Sequence, residues 1–153
     1  MIDLDETDRK ILIRLQADGR VSNADLADQV HLSQSACLRR VRRLEAEGVL
    51  AGYVALVDSA AVGRPVNVFV EITLSGQSED ILDAFEGAVR DCEEVMFCHL
   101  MSGDTDYLLH VVAADTADYE RIHRTRLARF PGVARIQTSF ALRTVCNTTA
   151  YPL

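Results

Sequence analysis

The 153-residue sequence has no tryptophan, few prolines and glycines, and no long hydrophobic run. The scarcity of proline and glycine excludes collagen-like and low-complexity chains. A membrane helix needs roughly 18 uninterrupted apolar residues, and no stretch approaches that length. The first residues, MIDLDE, are acidic, whereas targeting peptides begin with basic residues. We therefore expect a cytoplasmic protein without a membrane segment.

Cysteines are also few, and none of them forms a C-x-x-C pair. They are Cys37, Cys92, Cys98 and Cys146. Each lies in an apolar or amphipathic stretch, which predicts buried free thiols rather than a zinc site or a disulfide framework. We expect no metal and no cofactor.

Positive charge is in the minority, with 16 basic against 23 acidic residues and a net charge of −7. This balance excludes a protein whose whole surface binds nucleic acid. The segment from Ser33 to Leu44, however, contains four arginines and no acidic residue. A local basic face on an acidic protein binds phosphates while the rest of the surface repels them.

The first part of the chain has the periodicity of three helices. Asp5, Ser22 and Ser33 are the predicted N-caps, and Ser22 with an aspartate three residues later resembles a capping box. Gly19 and Gly48 are the predicted ends of the first and third helices. The third helix, which extends to about residue 47, buries a stripe of apolar side chains at i, i+4 and i+7. This stripe consists of Cys37, Val41 and Leu44.

The next residues predict a wing and a linker. Residues 49–57 are apolar and β-branched around Gly52, which favours a small β-hairpin. Small residues with a glycine and a proline follow and indicate a linker. We predict a first domain at residues 1–60, a linker at 61–65 and a second domain at 66–153.

The second part of the chain changes period and predicts a sheet with two helices. The predicted elements are a strand from Val66 to Leu74, a helix capped by Ser78, strands at Val95–Met101 and Tyr107–Ala113, a helix from the cap Thr116 through Phe130, and a strand at Ala134–Val145. The order βαββαβ is that of the ferredoxin-like fold, whose sheet has one uncovered face. We expect Phe69, Phe97 and Phe140 on that face, where self-association would bury them. The fold class is α+β.

Two short helices separated by a three-residue turn, the second rich in arginine, predict a helix-turn-helix. Such a motif inserts its second helix into the DNA major groove. The candidate DNA-binding residues are Ser33, Gln34, Ser35, Arg39, Arg40, Arg42 and Arg43. Of these we expect Gln34, Ser35 and Arg39 to contact bases, and Arg40, Arg42 and Arg43 to contact phosphates. The alternative is a solvated charged helix face, but the arginines fall on the one helix where the motif needs them.

The segment Ser102-Gly103-Asp104-Thr105-Asp106-Tyr107 separates two predicted strands. Backbone N–H groups of a glycine-containing loop suit a carboxylate, and an aspartate beside them suits an ammonium group, as in a free amino acid. From these residues alone, an aspartate-rich turn without a ligand is the better interpretation. No histidine or third carboxylate lies at ligand spacing, and no P-loop, dinucleotide fingerprint or nucleophile elbow is present. We predict no catalytic residues and no enzyme.

Several stretches, in one order, resemble the Lrp/AsnC family of bacterial and archaeal transcriptional regulators. They are LDETDRKIL, GRVSNADLA, LSQSACLRRVRRLEAEGVLAGY, VFVEITL, HLMSGDTDYLL, FPGV and TSFALRTV. Together they cover nearly the whole chain. The stretches CLRRVRRLE and CHLMSGDTDYLL are similar to the leucine-responsive branch in particular.

This resemblance implies an N-terminal winged helix-turn-helix and a C-terminal ferredoxin-like domain that senses a ligand. It also implies dimers formed through the open sheet faces, higher homo-oligomers, and amino acids bound between neighbouring dimers. The ligand site then becomes the better interpretation of the loop. The implied effector-binding residues are Ser102, Gly103, Asp104, Asp106 and Tyr107, with Leu100, Thr138 and Ser139 as weaker candidates.

The resulting hypothesis is a sequence-specific DNA-binding transcriptional regulator whose assembly or DNA affinity responds to an amino acid. Its partners would be double-stranded DNA, the amino acid and further copies of itself. One alternative is an architectural DNA-binding protein without an effector. Another is a small-molecule-binding or enzymatic module in which the helical half only docks a protein.

Overall fold

The computed structural model of the protein describes residues 3–153. Its elements are α1 (Glu6–Ala17), α2 (Asn23–Gln29), α3 (Gln34–Ala46), β1 (Val66–Leu74), α4 (Glu79–Arg90), β2 (Val95–Leu100), β3 (Tyr107–Ala113), α5 (Thr116–Thr125), a 3₁₀ turn (Leu127–Arg129) and β4 (Val133–Phe140). Within residues 3–153, no helix has the length and apolar character that crossing a membrane requires.

The chain divides into two compact units. The first contains the residues up to Leu56 together with Cys146–Leu153, and the second is Val57–Val145. The boundaries predicted from the sequence differ, since they assign residues 57–60 to the first domain and 146–153 to the second. The difference at the end of the chain arises because the side-chain amide of Gln16 bonds both backbone groups of Tyr151. Its Nε2 donates to the Tyr151 carbonyl at 3.1 Å, and its Oε1 accepts from the Tyr151 N–H at 2.6 Å.

Three capped helices build the first unit. The Asp5 side chain accepts from the N–H of Asp8 at 2.8 Å, and the Asp8 side chain accepts from the N–H of Asp5 at 3.3 Å, a reciprocal capping box. The predicted caps Ser22 and Ser33 are confirmed, since each hydroxyl accepts from the N–H three residues later. The core of the unit comprises Ile11, Leu12, Leu15, Leu26, Ala27, Val30, Cys37 and Leu44.

A tight turn separates α2 from α3 and sets the angle between them. His31 in this turn has a φ of 57°, in the left-handed region that histidine tolerates better than most non-glycine residues. The N–H of Leu32 then donates to the carbonyl of Ala27 at 2.9 Å and closes the turn. The helix-turn-helix predicted from the sequence is thereby confirmed.

The predicted β-hairpin at residues 49–57 is wrong. In the structure, residues 51–58 have no regular secondary structure. Tyr53 anchors the start of this segment by donating a hydrogen bond to Glu45, but Val54, Leu56 and Val57 are 83%, 76% and 66% exposed. Strand propensity only measures how well a side chain fits a half-buried sheet. Within residues 3–153, the first unit supplies no neighbouring strand for this segment.

An antiparallel sheet in the order β2-β3-β1-β4 forms the second unit. Alternate residues of β1 and β3 pack with α4 and α5 in the core, which includes Val70, Ile72, Leu109, Phe85 and Ile122. The βαββαβ order is the predicted ferredoxin-like topology, so the α+β fold class is confirmed.

The other face of the sheet carries an aromatic cluster of Phe69, Phe97, His99 and His110. The ring of His110 lies 5.2 Å from that of Phe69 and 5.3 Å from that of Phe97. The assignment of Phe140 to this face is wrong. Phe140 is paired in register with the buried Val68 and therefore points to the helix side. We call the four-residue group the aromatic cluster below.

Several predicted boundaries in the second unit also need correction. Asp115, not Thr116, caps α5, because its carboxylate accepts from the N–H of Asp118 at 2.7 Å. The helix ends at Thr125 before the 3₁₀ turn, and β4 ends at Phe140, where its pairing with β1 stops. The prediction of a buried thiol is wrong for Cys146, which is exposed in a segment without regular structure.

Candidate nucleic-acid interface and effector site

Helix α3 presents one exposed stripe opposite its buried one. Successive residues of a helix are about 100° apart around its axis. Ser35, Arg39 and Arg42 consequently point away from the core residues Cys37 and Leu44, and all three are exposed. Within residues 3–153, neither Arg39 nor Arg42 forms a side-chain hydrogen bond or an ion pair. These two guanidinium groups are available to an external anion.

The other two arginines of α3 contact helix α1. Arg40 Nη1 lies 2.8 Å from Asp8 Oδ1 and 2.7 Å from Asp5 Oδ2. Arg43 Nη2 contacts the other oxygen of Asp8, and its Nε lies 3.8 Å from Glu47 Oε2. The Asp8 N–H and the Arg40 guanidinium hold the pKa of Asp5 below its ordinary value. The structure therefore separates the four predicted arginines into two pairs with different partners.

The start of α3 carries the remaining DNA-binding candidates. Ser33 Oγ accepts from the Ala36 N–H at 3.3 Å and lies 3.3 Å from Ser35 Oγ, so Ser33 serves as the helix cap. Gln34 is exposed, and its carbonyl accepts from Asn23 Nδ2 at 3.0 Å, which ties α3 to α2. The side chains of Gln34 and Ser35 project from the first turn, the part of a recognition helix that reaches base edges.

The loop between β2 and β3 contains the main effector candidates. Ser102, Gly103 and Asp104 are exposed. The carboxylate of Asp106 is buried, and each of its oxygens already accepts a hydrogen bond at 2.7 Å, one from the Leu74 N–H and one from Gln77 Nε2. Asp106 therefore ties the loop to the end of β1. In this structure, Asp104 is the carboxylate of the loop that faces solvent.

Tyr107 is buried at the start of β3 instead of lining the loop surface. Its hydroxyl donates to Glu86 Oε1 at 2.9 Å, and its ring lies 4.5 Å from that of Phe85. Burial and the nearby Glu86 carboxylate raise the pKa of Tyr107. Beside Tyr107 is a cavity of about 330 Å³, whose lining includes Leu100 and Cys98. Burial raises the pKa of the Cys98 thiol to about 11, so this thiol stays protonated at neutral pH.

Thr138 and Ser139 lie on β4, at the opposite edge of the sheet from β2. Thr138 Oγ1 is 2.6 Å from the hydroxyl of Tyr119 on the helix side of the sheet. Ser139 pairs with Phe69 and points to the open face. A single chain therefore does not bring these two residues together with the β2–β3 loop, because β3 and β1 lie between them.

Sequence reasoning missed three residues at these sites: Asp8, Gln77 and Glu86. A signal existed only for Asp8, since an aspartate three residues after the N-cap Asp5 is the pattern of a capping box. Gln77 and Glu86 contact their partners 29 and 21 residues away in sequence. No local pattern marks such contacts.

In comparisons with known proteins, each of the two units matches a protein-family model. A winged helix-turn-helix DNA-binding model matches residues 4–51, and a Lrp/AsnC ligand-binding domain model matches residues 67–151. The chain belongs to the Lrp/AsnC family. It is a DNA-binding transcriptional regulator with a ligand-binding domain, as the motifs predicted.

The leucine-responsive regulatory protein of Haemophilus influenzae is 44% identical to this family member over 145 residues, which cover 95% of this chain and 87% of the relative. The Escherichia coli protein of the same name is 44% identical over 143 residues, covering 94% and 87%.

Two solved structures of transcriptional regulators are also similar to this chain. One is a transcriptional regulator of Neisseria meningitidis in complex with L-methionine, at a TM-score of 0.94 and 35% identity, covering 98% of this chain and 97% of that one. The other is an AsnC family regulator of Agrobacterium tumefaciens, at a TM-score of 0.92 and 38% identity, covering 97% and 96%.

Proposed function

We propose that this Lrp/AsnC regulator contacts DNA through the exposed stripe of α3 and senses an amino acid with the β2–β3 loop. Gln34, Ser35 and Arg39 contact base edges, and Arg42 contacts phosphate. The observation that carries the proposal is the exposure of Arg39 and Arg42 opposite the buried face of their helix. An arginine in this position either donates two hydrogen bonds to guanine or pairs with a phosphate.

The effector proposal rests on the chemistry of the loop and on the methionine complex of the Neisseria relative. The exposed backbone at Ser102 and Gly103 suits the α-carboxylate of an amino acid. The free carboxylate of Asp104 suits the α-ammonium group, since both oxygens of Asp106 are already engaged. Leu100 offers an apolar contact for the side chain. Because Thr138 and Ser139 lie at the far sheet edge, they would reach a ligand only from a neighbouring subunit.

We further propose that the protein forms a homodimer through the open face of its sheet and assembles into higher homo-oligomers. The aromatic cluster supports this proposal, because its four stacked and tilted rings lie on a face that α4 and α5 leave uncovered. Burying apolar surface is worth about 25 cal/mol per Å². A second copy of the same face would bury the rings most simply, by two-fold symmetry.

Coupling between assembly and DNA binding would then make the protein a cytoplasmic amino-acid-responsive switch, with no catalysis involved. In an oligomer, the second DNA-binding unit on one operator binds at a high effective concentration. A change in the number of linked units therefore alters the avidity for DNA strongly. The amino acid shifts the balance only by its difference in affinity for the two assemblies, typically about 1–3 kcal/mol.

A thermal-shift screen of the twenty amino acids, followed by gel shifts on the DNA upstream of the protein's own gene, tests this function. At least one amino acid should raise the melting temperature and change the gel shift, because a ligand of the folded state stabilises it by mass action. Asp104→Asn should abolish both responses. Asp83→Asn, at an exposed position on α4, is the matched control and should retain them.

DNA binding that no amino acid alters would overturn the sensing proposal and favour an architectural DNA-binding protein. Failure to bind the upstream DNA preferentially over an unrelated duplex would overturn the proposal of a sequence-specific regulator. Responses retained in Asp104→Asn would remove that carboxylate from the site.

A further inference from the structure

Asp8 is a buried carboxylate that joins helix α1 to the helix proposed to contact DNA. Its side chain is 1% exposed, and its two oxygens are divided between two arginines of α3. Arg40 occupies Oδ1 and Arg43 occupies Oδ2. Asp8 itself is held by the capping box with Asp5, whose own carboxylate also accepts from Arg40.

This arrangement fixes the rotation of α3 about its axis. A charge taken out of water is tolerated only when it is paired and hydrogen-bonded, so a buried Asp8 requires both guanidinium groups. Arg40 and Arg43 are three residues apart and therefore lie on one side of α3. With that side bound to α1, the stripe of Ser35, Arg39 and Arg42 faces outward.

The same arrangement divides the charge of the helix. Asp5 and Asp8 balance Arg40 and Arg43, so these four residues carry no net charge. Arg39 and Arg42 retain two positive charges without an acidic partner in residues 3–153. Of the four arginines of α3, only Arg39 and Arg42 are therefore free to displace counterions from a phosphate backbone.

We propose that Asp8 is a positioning residue for DNA recognition, which orients α3 and withholds Arg40 and Arg43 from the phosphates so that Arg39 and Arg42 contact DNA. This inference rests on the proposed DNA face of α3. It assigns Arg40 and Arg43, expected from the sequence to contact phosphates, to ion pairs with Asp5 and Asp8.

A matched pair of variants tests the division of charge in the full-length protein. Each phosphate contact contributes about 0.9 to the slope of log Kobs against log salt concentration. On a random-sequence duplex of about 30 base pairs, long enough for one or more helical turns, Arg42→Gln should reduce the magnitude of this slope by about 0.9. Arg40→Gln should leave the slope unchanged and lower the melting temperature instead. An equal loss of slope in both variants would overturn the inference.

Asp8→Asn tests positioning, because asparagine keeps the shape and the oxygen that accepts from Asp5 but loses the charge. Release of Arg40 and Arg43 should steepen the slope by about 0.9 for each new phosphate contact. The preference for upstream DNA over the random duplex should fall roughly tenfold, about the value of one good base contact. Asp8→Glu, which restores the charge, should recover the unaltered slope.

A purely structural carboxylate gives a different result. Asp8→Asn would then bind in proportion to its folded fraction, with an unchanged slope and an unchanged preference, and that outcome would overturn the inference. Should Asp8→Asn not fold, the comparison of the salt slopes of Arg42→Gln and Arg40→Gln decides alone. If the unaltered protein did not bind DNA, that result would instead overturn the proposal that α3 contacts DNA.

Discussion

Asp106 shows how a single buried carboxylate organises the second unit. It accepts one hydrogen bond from the last residue of β1, Leu74, and another from Gln77 in the segment that leads to α4. Its own N–H donates to the carbonyl of Ile72 at 2.9 Å, and its carbonyl accepts from Met101 at 2.8 Å. The residue therefore connects β1, the segment before α4 and the β2–β3 loop.

We expect Asp106→Ala to lower the free energy of unfolding of the second unit by about 1–3 kcal/mol, because the buried Leu74 N–H loses its acceptor. Urea unfolding measures this loss. Asp104→Ala, in the same loop but exposed, should change the free energy by less than about 0.5 kcal/mol. Equal destabilisation by both variants would contradict the assignment of Asp106 as the buried anchor of the loop.

At the scale of single elements, the N-caps of the first unit and the strand alternation were predictable because they depend on neighbours within a few residues. Ser22, Ser33 and the ends of β1 and β3 agree with the sequence for this reason. The wing at residues 49–57 was not predictable. An apolar extended segment forms a β-strand only if a second strand lies beside it, and the tertiary structure decides whether one does.

Two glycines of the second unit test the packing of α4. Substitution by alanine should destabilise the unit at Gly132 and stabilise it at Gly87. Gly132, before β4, has a φ of +75°, and a Cβ there would lie 2.7 Å from Ile81 Cγ2. Gly87 lies inside α4, and a Cβ added there would meet no neighbouring side chain of residues 3–153 within 4 Å. Gly132→Ala should destabilise the unit by about 1–3 kcal/mol, through strain and overpacking.

Gly87→Ala should instead stabilise the second unit by about 0.5–1 kcal/mol, since alanine loses less backbone entropy than glycine when a helix forms. Chemical denaturation of the two variants side by side measures both changes. A loss of stability in Gly87→Ala, or none in Gly132→Ala, would disprove the packing of α4 described above.

At the scale of the whole molecule, the two sides of the sheet place Phe97 and Phe140 in different surroundings. Phe97 belongs to the aromatic cluster on the open face, whereas the ring of Phe140 meets Tyr119 edge-on at 5.2 Å. We expect Phe97→Gln to shift the protein from dimer to monomer and to weaken DNA binding through lost avidity. Sedimentation velocity and gel shifts at matched concentrations measure the two effects.

Phe140→Gln is the control, because it removes an aromatic ring of the same size from the helix side. This variant should keep the oligomeric state of the unaltered protein. A Phe97→Gln protein that remained fully dimeric would exclude the open face as the dimer interface.

Caps, periodicity and contiguous motifs are all encoded by near neighbours, so the local elements, their order and the family of regulators follow from the amino-acid sequence. Folding is needed to establish which arginines of α3 are free, which carboxylate of the loop faces solvent and where residues 146–153 pack. Each of these outcomes depends on partners more than 20 residues away, such as Asp8 for Arg40 and Tyr151 for Gln16. Charged and polar side chains bond whichever partner folding brings within about 3 Å, and the sequence records no such distance.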